Sequence, residues 1–269
     1  MLNPSQATGF TPSGAVNWSP TATPDFTIDA NIELKSGAAN IYFQTRPGLG
    51  SPTPVLSLGG NIQITNNTTT TQTLFRFQTN AATVVQKSGS VLSDAGTTES
   101  SLIVLFGGSN QTVTLGGANT FTLASGASFR VNGTGGTLNL SNNSALGNAG
   151  NNLSSGDTAL TNSTDARSIL ITGNQTIQNQ VLISTFSGNT TIGGSNTSGT
   201  ATFNGTVALN RHASAASNTT FLTAASGGTV LFSGNLTAGT GAAAAGGVEK
   251  IGAGTVILGE QTPTRAPPS

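Results

Sequence analysis

"VTLGGANTFTL", residues 113–123, alternates apolar and polar residues on either side of a glycine pair. Val113 and Leu115 flank Thr114, and Phe121 and Leu123 flank Thr122. A period of two places each apolar pair on one face of a β-strand. The Gly116-Gly117 pair and Asn119 between them are turn chemistry, because Gly and Asn tolerate positive φ. The stretch therefore reads as strand, tight turn, strand.

The same unit recurs along most of the chain. Ile62 and Ile64 flank Gln63, Phe75 and Phe77 flank Arg76, and Phe129 and Val131 flank Arg130. Leu138 and Leu140 flank Asn139, and Ile169/Ile171 and Val207/Leu209 follow. Each predicted strand is short and is bounded by GG, NN, SG or GN. A longer rhythm is visible in "LSLGGNIQI" from Leu56, "VTLGGANTF" from Val113, "LITGNQTI" from Leu170 and "LFSGNLTA" from Leu231. Its steps are about 57 to 61 residues, which predicts three solenoid coils of about 20 residues per step. No sustained i, i+3, i+4 apolar stripe supports a helix. The four alanines of "GAAAAGG" (241–247) are too few to hold one, since an isolated helix needs about 12–15 residues.

Composition agrees. Charged residues make up 7% of the 269 positions, with nine Lys+Arg against nine Asp+Glu. Such sparse, balanced charge leaves no basic footprint for nucleic acid. Apolar residues are 35%, gathered as Val, Ile, Leu and Phe in short groups, where a disordered Gly/Ser tract would lack them. One short strand buries too little to be stable. Stacked coils bury a continuous apolar ladder, and each pairs its backbone with the next. The expected class is therefore all-β: a right-handed parallel β-helix or similar β-solenoid of many short strands, without significant helix. Aromatic residues at 5% argue against a sandwich or propeller rich in aromatic hairpins. The expected organisation is an N-terminal cap or connecting segment over 1–25, a solenoid over 26–260 and a Pro-rich tail over 261–269. "RPGLGSPTP" (46–54) reads as a loop thrown out from one coil.

Chemistry is hard to find. There is no cysteine, hence neither a disulfide nor a thiolate metal site. The acids Asp25, Asp29, Glu33, Asp94, Glu99, Asp157, Asp165, Glu249 and Glu260 are scattered. Only Asp29 and Glu33 lie close, in a predicted strand with Ile32 and Leu34, where an exposed polar row explains them. The one histidine, His212, follows Arg211, and no GxSxG elbow presents a serine to it. Phosphate loops, dinucleotide fingerprints and the calcium-binding GGxGxD repeat are missing. N-x-S/T sequons are abundant, those at Asn17, Asn66, Asn110, Asn132 and Asn174 among them, and this Asn/Ser/Thr alphabet produces them by chance. No catalytic, cofactor or metal residue is assigned, and no cofactor is expected. A carbohydrate-active β-helix with acids gathered across coils, or a glycan-binding module, are the alternatives.

One stretch is more specific. "GGVEKIGAGTVILGE", residues 246–260, resembles the autotransporter-associated β-strand repeat, a motif of the form K-x-G-x-G-T-L-x-L-x-G. Lys250, Gly252, Gly254, Thr255, Val256 and Leu258 fall on its positions, with Val256 in place of the usual Leu and Glu260 where Gly is common. The following "QTPTRAPPS" departs from that family's continuation. The resemblance implies a pectin-lyase-like β-helical passenger segment of a secreted or surface-displayed bacterial protein, serving as adhesin-like scaffold or spacer without catalysis. It further implies an outer-membrane β-barrel translocator in the parent protein, not in this chain, and host-cell or matrix glycans or proteins as partners. No signal peptide is read in "MLNPSQATGF". Within the motif, Val248, Val256 and Leu258 are expected to face the core, and Glu249 and Lys250 to form an exposed pair.

Overall fold

The structure, a computed structural model, describes residues 16–18, 26–36, 41–45, 55–66, 73–78, 83–94, 102–107, 110–123, 128–132, 135–155, 167–183, 189–209, 219–237 and 247–259. Among them there is no helix, and every strand pairing is parallel. The chain is a β-solenoid with three walls.

The first wall is a nine-stranded sheet. It stacks β1 (Val16–Trp18), β4 (Ile41–Thr45), β7 (Thr73–Gln78), β10 (Leu102–Gly107), β12 (Ser128–Asn132), β14 (Asn152–Ser155), β17 (Gln180–Ile183), β20 (Val207–Ala208) and β23 (Leu236–Thr237). The second wall, also nine-stranded, stacks β2 (Phe26–Ile28), β5 (Val55–Leu58), β8 (Thr83–Gln86), β11 (Thr112–Leu115), β13 (Thr137–Leu140), β15 (Arg167–Ile171), β18 (Thr190–Gly194), β21 (Thr220–Ala224) and β24 (Val248–Ile251). Its strands number rungs 1 to 9. The third wall is broken. Rungs 1–3 contribute β3 (Ile32–Ser36), β6 (Ile62–Asn66) and β9 (Leu92–Asp94). Rungs 6–9 contribute β16 (Thr176–Ile177), β19 (Thr200–Phe203), β22 (Thr229–Phe232) and β25 (Thr255–Leu258). Between them, 117–123 and 142–150 pass through the wall without forming strands.

Register explains the sequence pattern. Leu56, Val84, Val113, Leu138, Ile169, Ile192 and Leu222 stack in one inward row of the second wall, and all are buried. Leu58, Gln86, Leu115, Leu140 and Ile171 form the next inward row. Residues between them face outward and are half-exposed. In the third wall Ile177, Phe203 and Phe232 stack in the same way, and the two rings lie parallel with centroids 5.1 Å apart. A fully buried Leu or Phe contributes roughly 1.5–3 kcal/mol, so the ladder rather than any one strand holds the coil closed.

The coils are longer than the 20 residues expected. Successive members of the Leu56 row are separated by 23 to 31 residues. The step from Leu56 to Val113 is thus two coils, not three. Leu231, the fourth start of the rhythm, lies in the third wall, where the other three lie in the second. Gly and Asn serve corners on every side of the coil, so similar texture recurs at unequal positions.

Asparagine side chains fasten the corners. Asn31 Oδ1 accepts the N–H of Asn61 one coil on (2.9 Å), and Asn61 Oδ1 accepts that of Val91 (3.0 Å). In rung 4 the pair Phe121/Leu123 is buried as expected, yet it makes no strand. Leu123 N–H donates to Asn151 Oδ1 (2.7 Å) and Thr122 N–H to Asp94 Oδ2 (2.9 Å), so side chains join a few backbone bonds, such as Thr120 N–H to Leu92 O, in place of a regular ladder. The expected loop 46–54 and the tail 261–269 lie outside the described residues, as does most of 241–247.

Candidate functional site

The described acids do not converge. Asp29 Oδ1 accepts a hydrogen bond from Lys87 Nζ at 2.9 Å, across the two coil steps from rung 1 to rung 3. Gly59 of the intervening rung makes that reach possible, because a Cβ there would stand 1.9 Å from Asp29 Oδ1. Both side chains are largely exposed, and such a pair contributes about 0–1 kcal/mol. Asp94 is committed to Thr122 N–H, and Glu33 is half-buried on β3 beside Gln63 of β6. Among the described residues no three His, Cys, Asp or Glu side chains come together as a metal site. Asp25, Glu99, Asp157, Asp165, Glu260, Arg211 and His212 lie outside the described residues. The interior between rungs 2 and 4 holds a void of about 10 Å³, lined chiefly by Leu58, Ile62, Val84, Leu92, Val113 and Leu115, too small for a substrate.

Buried polar groups are structural. Gln86, in an otherwise apolar inward row, pairs reciprocally with Asn119. Its Nε2 donates to Asn119 Oδ1 (2.6 Å) and to Ser90 O (3.1 Å), and its Oε1 accepts from Asn119 Nδ2 (3.1 Å). Asn119 also accepts Leu92 N–H (2.8 Å) and donates to Ala145 O (2.7 Å), so one amide joins rungs 3, 4 and 5. Gln111 is buried as well, and neither polar atom of its amide has a hydrogen-bond partner.

The motif residues form rung 9. β24 ends at Ile251, the chain turns through 252–254, and β25 begins at Thr255. Gly252 sits at φ +76°, and a Cβ on Gly254 would stand 2.1 Å from Ala225 O. The turn therefore requires both glycines. Gly254 N–H donates to Ala224 O and Thr255 N–H to Gly228 O, which fixes the turn on rung 8. Three expectations for this stretch need correction. Val248 and Leu258 are 45% and 47% exposed rather than buried. Both hold inward register positions, against Thr220 and Phe232, but on the last described rung they are packed from one side only. Val256 does pack on the core. Glu249 and Lys250 are not a pair. Alternation sends Glu249 outward with Phe221 and places Lys250 in the inward row after Leu222, where its Nζ donates to Gly252 O.

Register also exposes a repeat that the linear reading missed. "GTATFNG" (199–205), "GTVLFSG" (228–234) and "GTVILG" (254–259) occupy the third wall of rungs 7, 8 and 9, with Thr200, Thr229 and Thr255 stacked. The recurring Gly-Thr followed three residues later by Phe or Leu was the available signal.

The outward face of the second wall is the most regular surface described. Thr83, Thr112, Thr137, Ser168 and Thr191 stand side by side on rungs 3 to 7, and Phe221 follows on rung 8. The adjoining outward row is Val85, Thr114, Asn139, Leu170, Gly193 and Thr223. Neither row carries a charge between rungs 3 and 8. No family model, no curated protein and no solved structure matches the chain.

Proposed function

We propose that this chain is a non-catalytic passenger segment of an autotransporter-like bacterial protein, secreted or held at the cell surface as an adhesin-like scaffold or spacer. The observation that carries the reading is the Gly-Thr repeat stacked on rungs 7 to 9. Its last copy is entered through Lys250-x-Gly252-x-Gly254-Thr255, and the repeat lies within a parallel solenoid. Nearest-neighbour pairing suits export. Each rung needs only the preceding one as a template, so folding can proceed as the chain emerges unfolded. The lack of cysteine suits the same route, because no premature bridge can form. The partners of the reading are a β-barrel translocator in the parent protein and glycans or proteins beyond the cell.

The test places the whole chain between an export signal and an outer-membrane barrel of a known autotransporter. Intact cells should display it as a protease-resistant, β-rich domain. Retention inside the cell, or digestion at the surface like an unfolded chain, while a control passenger is displayed normally, sinks the reading.

A further inference from the structure

Hydroxyls on the outer face of the second wall repeat once per rung. Thr83, Thr112, Thr137, Ser168 and Thr191 are register partners, so their side chains are spaced by the strand separation of about 4.8 Å. Each is half-exposed. A hydroxyl both donates and accepts, and each threonine sets a methyl beside it. The hydroxyl run is followed by Phe221 on rung 8, which is also half-exposed, and then by the exposed Glu249 on rung 9. Among the phenylalanines whose side chains are described this placement is the exception, since Phe121, Phe203 and Phe232 are all fully buried. An outward ring in line with five hydroxyls is an apolar platform next to a hydrogen-bonding track.

We infer that this face binds a neutral, extended β-linked polysaccharide lying along the solenoid axis. The inference rests on the surface-scaffold reading above and gives it a ligand. Charge selects the class. Neither outward row carries an ionisable group from rung 3 to rung 8, and the one that follows on rung 9, Glu249, is an acid, so these rows offer no cation to an anionic glycan or a nucleic acid. A neutral glycan supplies what the face lacks: donors and acceptors repeated at close to the advance of one pyranose per rung, and apolar C–H faces to lie on the Phe221 ring. The backbone ladders hold every rung in place, so little ordering opposes binding. Five weak contacts on one rigid track then act together.

The experiment uses the purified full chain and insoluble cellulose, chitin and a β-1,3-glucan, with alginate as the anionic control. Saturable retention is expected on at least one neutral polymer and not on alginate. Thr112→Val/Thr137→Val keeps the β-branched shape and removes two hydroxyls, and should weaken retention about tenfold. Phe221→Leu should weaken it to a similar degree, and Phe221→Tyr should restore it. Thr229→Val, on the outer face of the third wall, should leave it unchanged. Circular dichroism of each variant reports its fold. Retention on no neutral polymer, preference for alginate, or folded track variants that bind like the parent chain each overturn the inference. A chain that displays normally on cells yet binds no polysaccharide overturns this inference alone and leaves the scaffold reading standing.

Discussion

Replacing Asn119 should cost far more than replacing the glutamine it pairs with. Asn119→Ala strands three buried groups. Gln86 Oε1 loses the Nδ2 donor, Leu92 N–H loses its acceptor and Ala145 O loses its donor. At about 1–3 kcal/mol for each buried group left unpaired, the total is about 3–9 kcal/mol, spread over rungs 3 to 5. Gln86→Leu removes three hydrogen bonds but leaves Asn119 one partner on each polar atom. It also places an apolar side chain in a row whose neighbours are Leu58 and Leu115. The gain of about 1.5–3 kcal/mol from burial largely offsets three net bonds of about 0.5–1.5 kcal/mol each. The expected change is therefore a cost centred near about 1 kcal/mol and at most about 3 kcal/mol. The assay is amide hydrogen exchange, because a long repeat array opens locally. Protection of Leu92 N–H should collapse in Asn119→Ala and persist in Gln86→Leu, whose leucine leaves the Leu92–Asn119 bond in place. Equal losses in the two variants, or an Asn119→Ala cost below about 1 kcal/mol, would refute the reasoning.

Further outcomes follow from the same geometry. Phe232→Ala removes the ring stacked on Phe203 and should destabilise rungs 7 to 9 by about 3–5 kcal/mol, read as lost exchange protection there with rungs 2 to 4 unaffected. Gly254→Ala drives a Cβ into Ala225 O and Gly228 O, so rung 9 should detach while rung 7 keeps its protection; unchanged protection of Thr255 N–H would count against the turn geometry. Gln111→Met retires a buried amide without partners and should raise the thermal midpoint, because the unpaired groups cost about 1–3 kcal/mol; a lowered midpoint contradicts this.

Inward pairs were legible because one physical rule governs them. Val113/Leu115, Leu138/Leu140 and Ile169/Ile171 alternate with polar residues, and each lies buried in the second wall. Phe121/Leu123 obeyed the same rule and is buried, but alternation says only which way a side chain points. Whether a backbone ladder forms depends on Asn151 and Asp94, which lie 28 residues away in opposite directions. Coil length was illegible for a related reason. The glycine of a corner looks the same on any wall, and only register separates Gly116 on the second from Gly234 after the third. The hydroxyl track was invisible for the same reason: Thr83, Thr112, Thr137, Ser168 and Thr191 sit at unequal spacings and become neighbours only once the coils are stacked. Of the motif, the turn was legible from Gly252 and Gly254. The fate of Lys250 was not, since it depends on Leu222 beneath it.

The broken third wall divides the mechanics of the molecule. Rungs 1–3 and rungs 6–9 each carry a complete set of three hydrogen-bonded sheets. Rungs 4 and 5 have two, and on the third side rely on amides such as Asn119 and Asn151 and on Asn179 Nδ2 bonded to Asn148 O and Asn151 O. Shear along the axis is borne by three backbone ladders at both ends, and in the middle by two ladders with a few side-chain and isolated backbone bonds on the third side. Pulled from its ends, the rod therefore has a fuse. A tear that starts at one terminus meets a change of material at rungs 4 and 5, and the far block can survive as a folded remnant from which the lost coils are rewound.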